Sequence, residues 1–359
     1  GKDIHNNVAT LANAPSYAAS IGLEDFLTRE NLTLAATSYQ SGRLYLLGRH
    51  PNGGLILSEE YFRKAMGLHV VDDALYLLTE RHLVHLEAET NPTGSILHKT
   101  FNPVGIHHTG EVSGHDLAQA SDGRMIFVNT RYNCLASPSD SDGFTPVWSP
   151  SFLNGIQKGD RCHLNGLAID GGTSAYVSGL ARTARLDGWR RQRLNGGFVM
   201  DVQANKVICD GLSMPHSPRV HNGELWICNS GTGELGTINR ASGSFEPVAF
   251  CPGFIRGLAF HGDFAFVGLS RPRHSRFDGL PLHQRLSETG QEPWTGILII
   301  DTRTGETAGW LRVDGLVTEL YDVAVLPGVV NATANGLMPD EYTGQTPSQE
   351  FDTDYAYSA

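Results

Sequence analysis

The sequence predicts an all-β fold, a six-bladed β-propeller, and three observations carry that prediction. Six short segments can be laid over one another: Met66-Gly-Leu-His-Val, His115-Asp-Leu-Ala-Gln, Asn165-Gly-Leu-Ala-Ile, His216-Ser-Pro-Arg-Val, Arg256-Gly-Leu-Ala-Phe and Tyr321-Asp-Val-Ala-Val. They recur every ~40–65 residues, the period of four-stranded propeller blades. Most are followed by a polar turn and a second apolar strand, as in Arg124-Met-Ile-Phe-Val, Glu224-Leu-Trp-Ile and Phe264-Ala-Phe-Val. Finally, 41 glycines and repeated turn signals favour many short strands over long helices.

The elements follow in order. Residues 1–30 read as an irregular or partly helical lead-in. Residues 34–39, 43–47 and 55–61 read as strands joined by turns at Gln40-Ser-Gly and Pro51-Asn-Gly-Gly, one strand short of a blade. Blades two to six are expected at roughly 64–103, 104–160, 161–212, 213–252 and 253–314. The last two strands of the blade at 213–252 match 42–61, so the first blade lacks its innermost strand. Residues 320–326 form a lone inner strand after a complete blade. Ring closure follows: the C-terminal strand completes the N-terminal blade and removes an exposed sheet edge. A seven-bladed alternative holds if 34–39 is itself an inner strand. The propeller then spans 31–329, with a tail at 330–359 rich in Thr, Asn, Gly, Asp and Glu and without apolar period.

Composition bounds the function. The chain has 359 residues, 40% of them apolar, enough for a sizeable core. No run of eighteen apolar residues exists, so no transmembrane helix and no membrane partner are expected. The start, Gly1-Lys-Asp-Ile-His, lacks a signal peptide's apolar stretch, although a processed end would look the same. The five cysteines are odd in number and lack CxxC spacing, which points to free thiols in a reducing, cytoplasmic compartment. A net charge of −11 argues against general nucleic-acid binding.

Four motifs, Arg161-Cys-His-Leu-Asn-Gly-Leu-Ala, Met214-Pro-His-Ser-Pro-Arg, Asn229-Ser-Gly-Thr-Gly-Glu-Leu-Gly and Phe254-Ile-Arg-Gly-Leu-Ala-Phe-His-Gly, resemble a family of bacterial conserved hypothetical six-bladed propeller proteins. The resemblance spans about residues 30–330 and implies the fold. More distantly, the repeats look like the regucalcin and gluconolactonase propellers, which hold a divalent metal with a Glu, two Asn and an Asp at inner-strand starts. Asn165-Gly-Leu resembles one of those Asn positions, His216-Ser-Pro falls where that group has Glu-Ser-Pro, and His115 falls at another ligand position. The departure from oxygen ligands counts against calcium, because imidazole suits zinc, iron, copper or nickel.

The first residues of the six segments should ring one mouth of the channel: Met66, His115, Asn165, His216, Arg256 and Tyr321. A strand repeats its facing every two residues, so His163 and Glu319 belong one layer higher. Three imidazoles on consecutive blades (His115, His163, His216) form a candidate open tripod for zinc, iron or copper. Glu319 is a candidate general base or fourth ligand, or a backbone cap; Tyr321 is a candidate proton donor, or a packed ring. Asn165 is either a substrate contact or a loop bracket. Arg256 attracts an anionic group bidentately and would repel a metal cation.

Loops on the same face carry Arg131, then Arg182, Arg185, Arg190, Arg191 and Arg193 within the insertion 180–196, then Arg271, Arg273 and Arg276 within the insertion 271–296. Together they suggest an electropositive funnel for a carboxylate, phosphate, sulfate or acidic peptide, which Trp189, Trp294 and Phe277 either line or merely brace. Three further features have a plainer reading beside a sharper one. His107, His108 and Glu111 are loop structure or a second cluster; Cys162 is a ligand only if strand alternation fails; Asn229-Ser-Gly-Thr-Gly is a tight turn, since no helix follows it. The acidic, Tyr-rich tail (Asp340, Glu341, Glu350, Asp352, Asp354) is a candidate contact with a neighbouring subunit or, wrapping round, with the basic mouth. The leading expectation is a metal-dependent enzyme, hydrolase- or lactonase-like by analogy, acting on an anionic small molecule or peptide. An iron- or copper-dependent oxidoreductase and a non-enzymatic anion- or protein-binding propeller are the alternatives.

Overall fold

The computed structural model describes residues 4–6, 16–271 and 279–338, and its strands form six sheets arranged as a six-bladed propeller. The inner strands are Asp322–Pro327, Leu68–Val71, Gly114–Gln119, Leu164–Asp170, Pro215–His221 and Phe254–His261, for blades 1 to 6 in turn. Blade 1 closes the ring. Its inner strand comes from the C-terminal part of the chain and pairs antiparallel with Leu32–Ser38, Asp322 opposite Thr37 and Pro327 opposite Leu32. Leu32–Ser38 is therefore a second strand, and the count is six blades, not seven.

The sequences flanking the ring add strands to it. Ile4–Asn6 pairs with the outer strand of blade 1, Ser16–Ala19 with that of blade 6, and Ala332–Ala334 with that of blade 2. Between Ser16–Ala19 and the ring, helix Leu23–Glu30 buries Leu23, Phe26 and Leu27 against blades 1 and 6. Blade 2 runs further than 103: its outer strand is Lys99–His108, so His107 and His108 lie in a strand and not in a loop before blade 3. That strand is only patchily buried and shows no apolar alternation, which hid its length.

Blades pack face to face through alternate residues of each strand. In blade 1, Leu34 and Ala36 pack toward Ile297, Ile299 and Leu311 of blade 6, while Ala35 packs on the opposite face with Leu75 and Leu77 of blade 2. The insertions 180–196 and 271–294 leave blades 4 and 6 at the same level, after Gly179 and Ser270. They share one core: Leu180, Ala181 and Trp189 from the first, Leu280, Leu282 and Leu286 from the second, with Met214 and Phe254 between them.

The residue after each column position explains how the inner strands fit around the axis. In blades 2, 4 and 6 it is Gly67, Gly166 or Gly257; in blades 3, 5 and 1 it is Asp116, Ser217 or Asp322. A Cβ at Gly67 would stand 3.1 Å from the Asp116 Cα, one at Gly166 2.2 Å from the Pro218 Cδ, and one at Gly257 2.8 Å from the Asp322 Cα. Glycine is thus required by close approach of the neighbouring inner strand. The polar partners use that closeness. Asp116 accepts a hydrogen bond from the Leu167 amide (3.0 Å), Ser217 from the Gly257 amide (2.9 Å) and Asp322 from the Leu68 amide (2.8 Å). Each bond crosses to the next blade, so the ring has a threefold rhythm of blade pairs.

Across this belt lies Arg219. It donates to both Asp116 carboxylate oxygens (2.7 and 3.2 Å), to the Leu258 carbonyl through Nε (2.9 Å) and to the Leu167 carbonyl (3.2 Å), and it stands 3.7 Å from Asp322. One side chain and two carboxylates therefore join all six blades. Removing one partner of such a buried set leaves charge unpaired, so Asp116→Ala should cost about 3–5 kcal/mol. Gly166→Ala should cost about 1–3 kcal/mol by overpacking. Urea titration of both variants beside wild type checks the two figures; a midpoint unchanged for Asp116→Ala would remove the bracing role assigned to Arg219.

Candidate functional site

Above the belt, the column residues converge at one end of the channel, and they are enclosed. His115, His163, His216, Arg256, Glu319 and Tyr321 are each no more than 4% exposed. Trp189 of the first insertion packs on His163 with ring centroids 4.4 Å apart, and Phe254 packs on His216 at 5.5 Å. The mouth expected to be an open basic funnel is thus covered at these side chains. Arg182, Arg185, Arg190 and Arg191 sit outside the cover, exposed to solvent. Arg273, Arg276 and Phe277 lie outside the described residues, as does the acidic tail.

Two of the imidazoles are anchored identically. His115 Nδ1 stands 2.8 Å from the Ser113 carbonyl and 2.6 Å from the Thr130 hydroxyl. His216 Nδ1 stands 2.8 Å from the Met214 carbonyl and 2.9 Å from the Ser230 hydroxyl. A carbonyl only accepts, so both rings carry their proton on Nδ1 and a lone pair on Nε2. The hydroxyls donate onward to the next blade: Thr130 to the Leu164 carbonyl at 2.6 Å, Ser230 to the Ile255 carbonyl. Sequence reading missed both hydroxyls, although each follows an Asn at the end of a second strand, 15 and 14 residues after its histidine. The Asn229-Ser-Gly-Thr-Gly stretch is a tight 3-10 turn, and its work is to present Ser230 to His216.

His163 is held by a carboxyl group. Its Nδ1 bonds Asp160, which burial pushes up to about 8 against the Trp189 indole and Arg190. Its ring meets His115 edge to face, centroids 4.8 Å apart. Burial, reinforced by Arg256 and other nearby cationic or imidazole groups, drives His115, His163 and His216 well below the ordinary imidazole value. All three are neutral at pH 7.

The opposing arc is ionic. Arg256 Nη2 lies 3.3 Å from Glu319 Oε1, and its guanidinium covers the Tyr321 ring at 4.2 Å. The other Glu319 oxygen accepts from the Gln40 amide (2.8 Å) and the Ser38 hydroxyl (3.4 Å), so Glu319 is both a backbone cap and the counter-ion of Arg256. Burial raises Glu319 against the pull of Arg256. His216 Nε2 and the Tyr321 hydroxyl are buried with no hydrogen-bond partner among the described residues.

Other sequence candidates are placed elsewhere. Asn165 donates to the Pro215 carbonyl (2.8 Å) and accepts from Ser178 (2.6 Å), the bracket between blades 4 and 5. Arg131 is a third exposed and pairs with Glu111 at 2.9 Å; Glu111 also meets Arg81. His107 Nε2 meets the Gly143 carbonyl at 2.7 Å and His108 packs on His82, so these three do not form one cluster. Cys162 is buried with its thiol pushed up by burial, and all five cysteines are free and buried. Among the described residues, no three His, Cys, Asp or Glu side chains stand together as a complete metal-ligand set. No helix among them is long and apolar enough to cross a membrane.

Architecture and site define a class: a six-bladed propeller whose channel is braced by an Asp–Arg–Asp belt and holds an enclosed imidazole–guanidinium cluster above it. The chain belongs to the family described as Domain of unknown function (DUF4915), whose model matches residues 22–334. Among solved structures it is similar to a chain of the nidogen/laminin complex, with 12% identity and a TM-score of 0.50, over 83% of this chain and 99% of that one. At that identity the likeness is one of fold. No curated protein matches the sequence.

The neutral histidines set an acid limit. A group whose folded value is depressed contributes stability that is present above its unfolded value, ~6.5 for His, and lost as pH falls below it. His216→Gln removes one such group. Between pH 6 and 5 its unfolding free energy should fall less steeply than wild type, by about 1.4 kcal/mol per pH unit, in denaturant titrations at each pH. Identical slopes would mean that His216 is charged in the folded protein.

Proposed function

We propose that the enclosed end of the channel is a metal-assisted catalytic site for a small anionic substrate. In this reading His115, His163 and His216 are the ligands, zinc, iron or copper is the metal, and Arg256 receives the anion. The observation that carries the reading is the anchoring of the His115 and His216 Nδ1 atoms on the Ser113 and Met214 carbonyls, with His163 held beside them by Asp160. Metal-ligating histidines almost always give their second ring nitrogen to a carbonyl or carboxyl in this way, which fixes tautomer and direction. Such a metal supplies a Lewis acid that polarises a carbonyl or acidifies water.

The chain's own residues do the rest. Arg256, kept in place by Glu319 and Tyr321, orients a carboxylate, phosphate or sulfate opposite the imidazoles. The Tyr321 hydroxyl, pushed far up by burial, stays protonated and serves as a hydrogen-bond donor. Trp189 and the shared core of the insertions keep bulk water from the cluster. Hydrolysis, including lactone opening, is the reaction class assigned; iron- or copper-dependent oxidation uses the same ligands. An acidic peptide is the larger substrate of the same charge.

A second reading, a metal-free anion site centred on Arg256, is favoured by one specific observation: no complete three-ligand set stands ready among the described residues. Elemental analysis of freshly purified protein decides between them. The metal reading expects close to one zinc, iron or copper per chain, and loss of that metal from His115→Ala/His216→Ala, which keeps one ligand of three. Metal-free protein that cannot be loaded, and that binds sulfate through Arg256 equally well in that double variant, would leave the anion reading standing alone.

A further inference from the structure

At the other end of the channel, below the belt, the inner strands enclose a bowl of about 330 Å³. Its shape follows from the register of the repeats. Three residues after each column position stand His69, Ala118, Ala168, Arg219, Ala259 and Ala324, and all six line the bowl. Four of the six are alanine. In a ring whose neighbouring positions are Leu, Ile, Val or Phe except for Pro218 and Gln119, four methyl groups leave space where larger side chains would have closed the channel.

Arg219 forms the floor, about a fifth exposed. Its N–H groups donate to Asp116 in blade 3, Leu167 in blade 4, Pro218 in blade 5 and Leu258 in blade 6, and the Asp322 carboxylate of blade 1 stands 3.7 Å away as a second counter-charge. Guanidinium hydrogen bonds lie in the guanidinium plane, so this plane spans the channel and its flat face is turned along the axis. A molecule entering the bowl meets Arg219 on its face, since its in-plane hydrogen bonds go to the strands around it. It finds a flat delocalised cation, which attracts aromatic faces. His69 supplies the polar group beside it. Its Nε2 accepts from the Gln119 amide at 3.3 Å, which leaves the ring proton on Nδ1 as a donor.

We infer that this bowl is a second binding site, for a planar aromatic or heteroaromatic small molecule. The ring stacks on the exposed face of Arg219 within the alanine layer, and a carbonyl or ring-nitrogen acceptor on it meets His69. The volume is at the small end of ligand pockets and suits one ring system with a short substituent. The site is separate from the imidazole cluster, since the Asp–Arg–Asp belt lies between them, and it does not depend on the catalytic reading above.

The test uses two probes with the same amide group: benzamide, which is planar, and cyclohexanecarboxamide, which is not. Saturation-transfer NMR titrations on the full chain are expected to give at least about fivefold tighter binding for benzamide, the scale of one cation–π contact. Ala259→Leu, which refills the bowl at a half-buried position, is expected to weaken benzamide by a similar factor or more; Ala118→Leu does the same from the opposite side should the first variant fold poorly. His216→Gln, at the other end of the channel, is expected to change nothing. Equal binding of the two amides, undiminished benzamide binding by a folded leucine variant, or no benzamide binding at millimolar concentration would overturn the assignment.

Discussion

Arg219 crosses the channel between the six inner strands, and the remainder of the fold is arranged around that crossing. A guanidinium enclosed by protein is stable only if nearly every N–H finds an acceptor and its charge finds a carboxylate. Asp116 meets both demands bidentately, while Asp322 adds a second carboxylate at 3.7 Å. Two carboxylates against one guanidinium is an excess of negative charge, and burial together with Asp116 pushes Asp322 upward despite Arg219. The backbone amides of Leu68, Leu167, Leu117 and Val323 offset that excess by donating to the same two side chains. Asp322 lies on the closing strand, so the belt and the closure of the ring stabilise each other.

This belt accounts for the alternation of glycine with Asp or Ser along the repeat. A carboxylate that bonds an amide on the next blade needs that blade's backbone within reach, and a side chain at the facing position would hold it away. Gly67, Gly166 and Gly257 supply the missing side chain on three blades, and Asp116, Ser217 and Asp322 use the gap on the other three. The same pairing recurs one layer up. Thr37, Thr130 and Ser230 each donate a hydroxyl to the following blade, at the Met66, Leu164 and Ile255 carbonyls. In two of those three places a histidine leans on the hydroxyl; in the third the column residue is Tyr321. The site is therefore built on the ring's threefold rhythm and then broken from symmetry by Tyr321, with Arg256 over its ring.

That hierarchy explains which parts were legible in the sequence. The column was readable because a repeat aligns residues at equal height and a strand alternates its facing, so His115, His163, His216, Arg256, Glu319 and Tyr321 were placed together from register alone. Ring closure was readable for a related reason: three strands at one end and one at the other have a single economical solution. For Glu319 and Asn165 the sequence offered the cap and the bracket beside a catalytic or substrate role but did not choose, and the partner of Arg131 was not readable, because each depends on which group a loop or neighbouring blade brings close. The enclosure of the site was also invisible. It comes from two insertions that share a core, Trp189 with Leu282 and Leu286, and such a contact between irregular segments leaves no period in either one.

Electrostatics ties the enclosure to the chemistry. Solvent-exposed imidazoles would titrate near neutral pH, and a half-charged cluster beside Arg256 would repel both a metal and the guanidinium. Burial removes that outcome by holding all three rings neutral, and hydrogen bonds at Nδ1 aim the lone pairs of His115 and His216 from Nε2. Glu319 stands 3.3 Å from the Arg256 guanidinium as its buried counter-ion. The enclosed end thus sets the neutral imidazoles of one arc against the Arg256–Glu319 ion pair of the other. In the proposed reading a metal carrying an anionic ligand would meet both arcs together, the imidazoles through the metal and Arg256 through the anion.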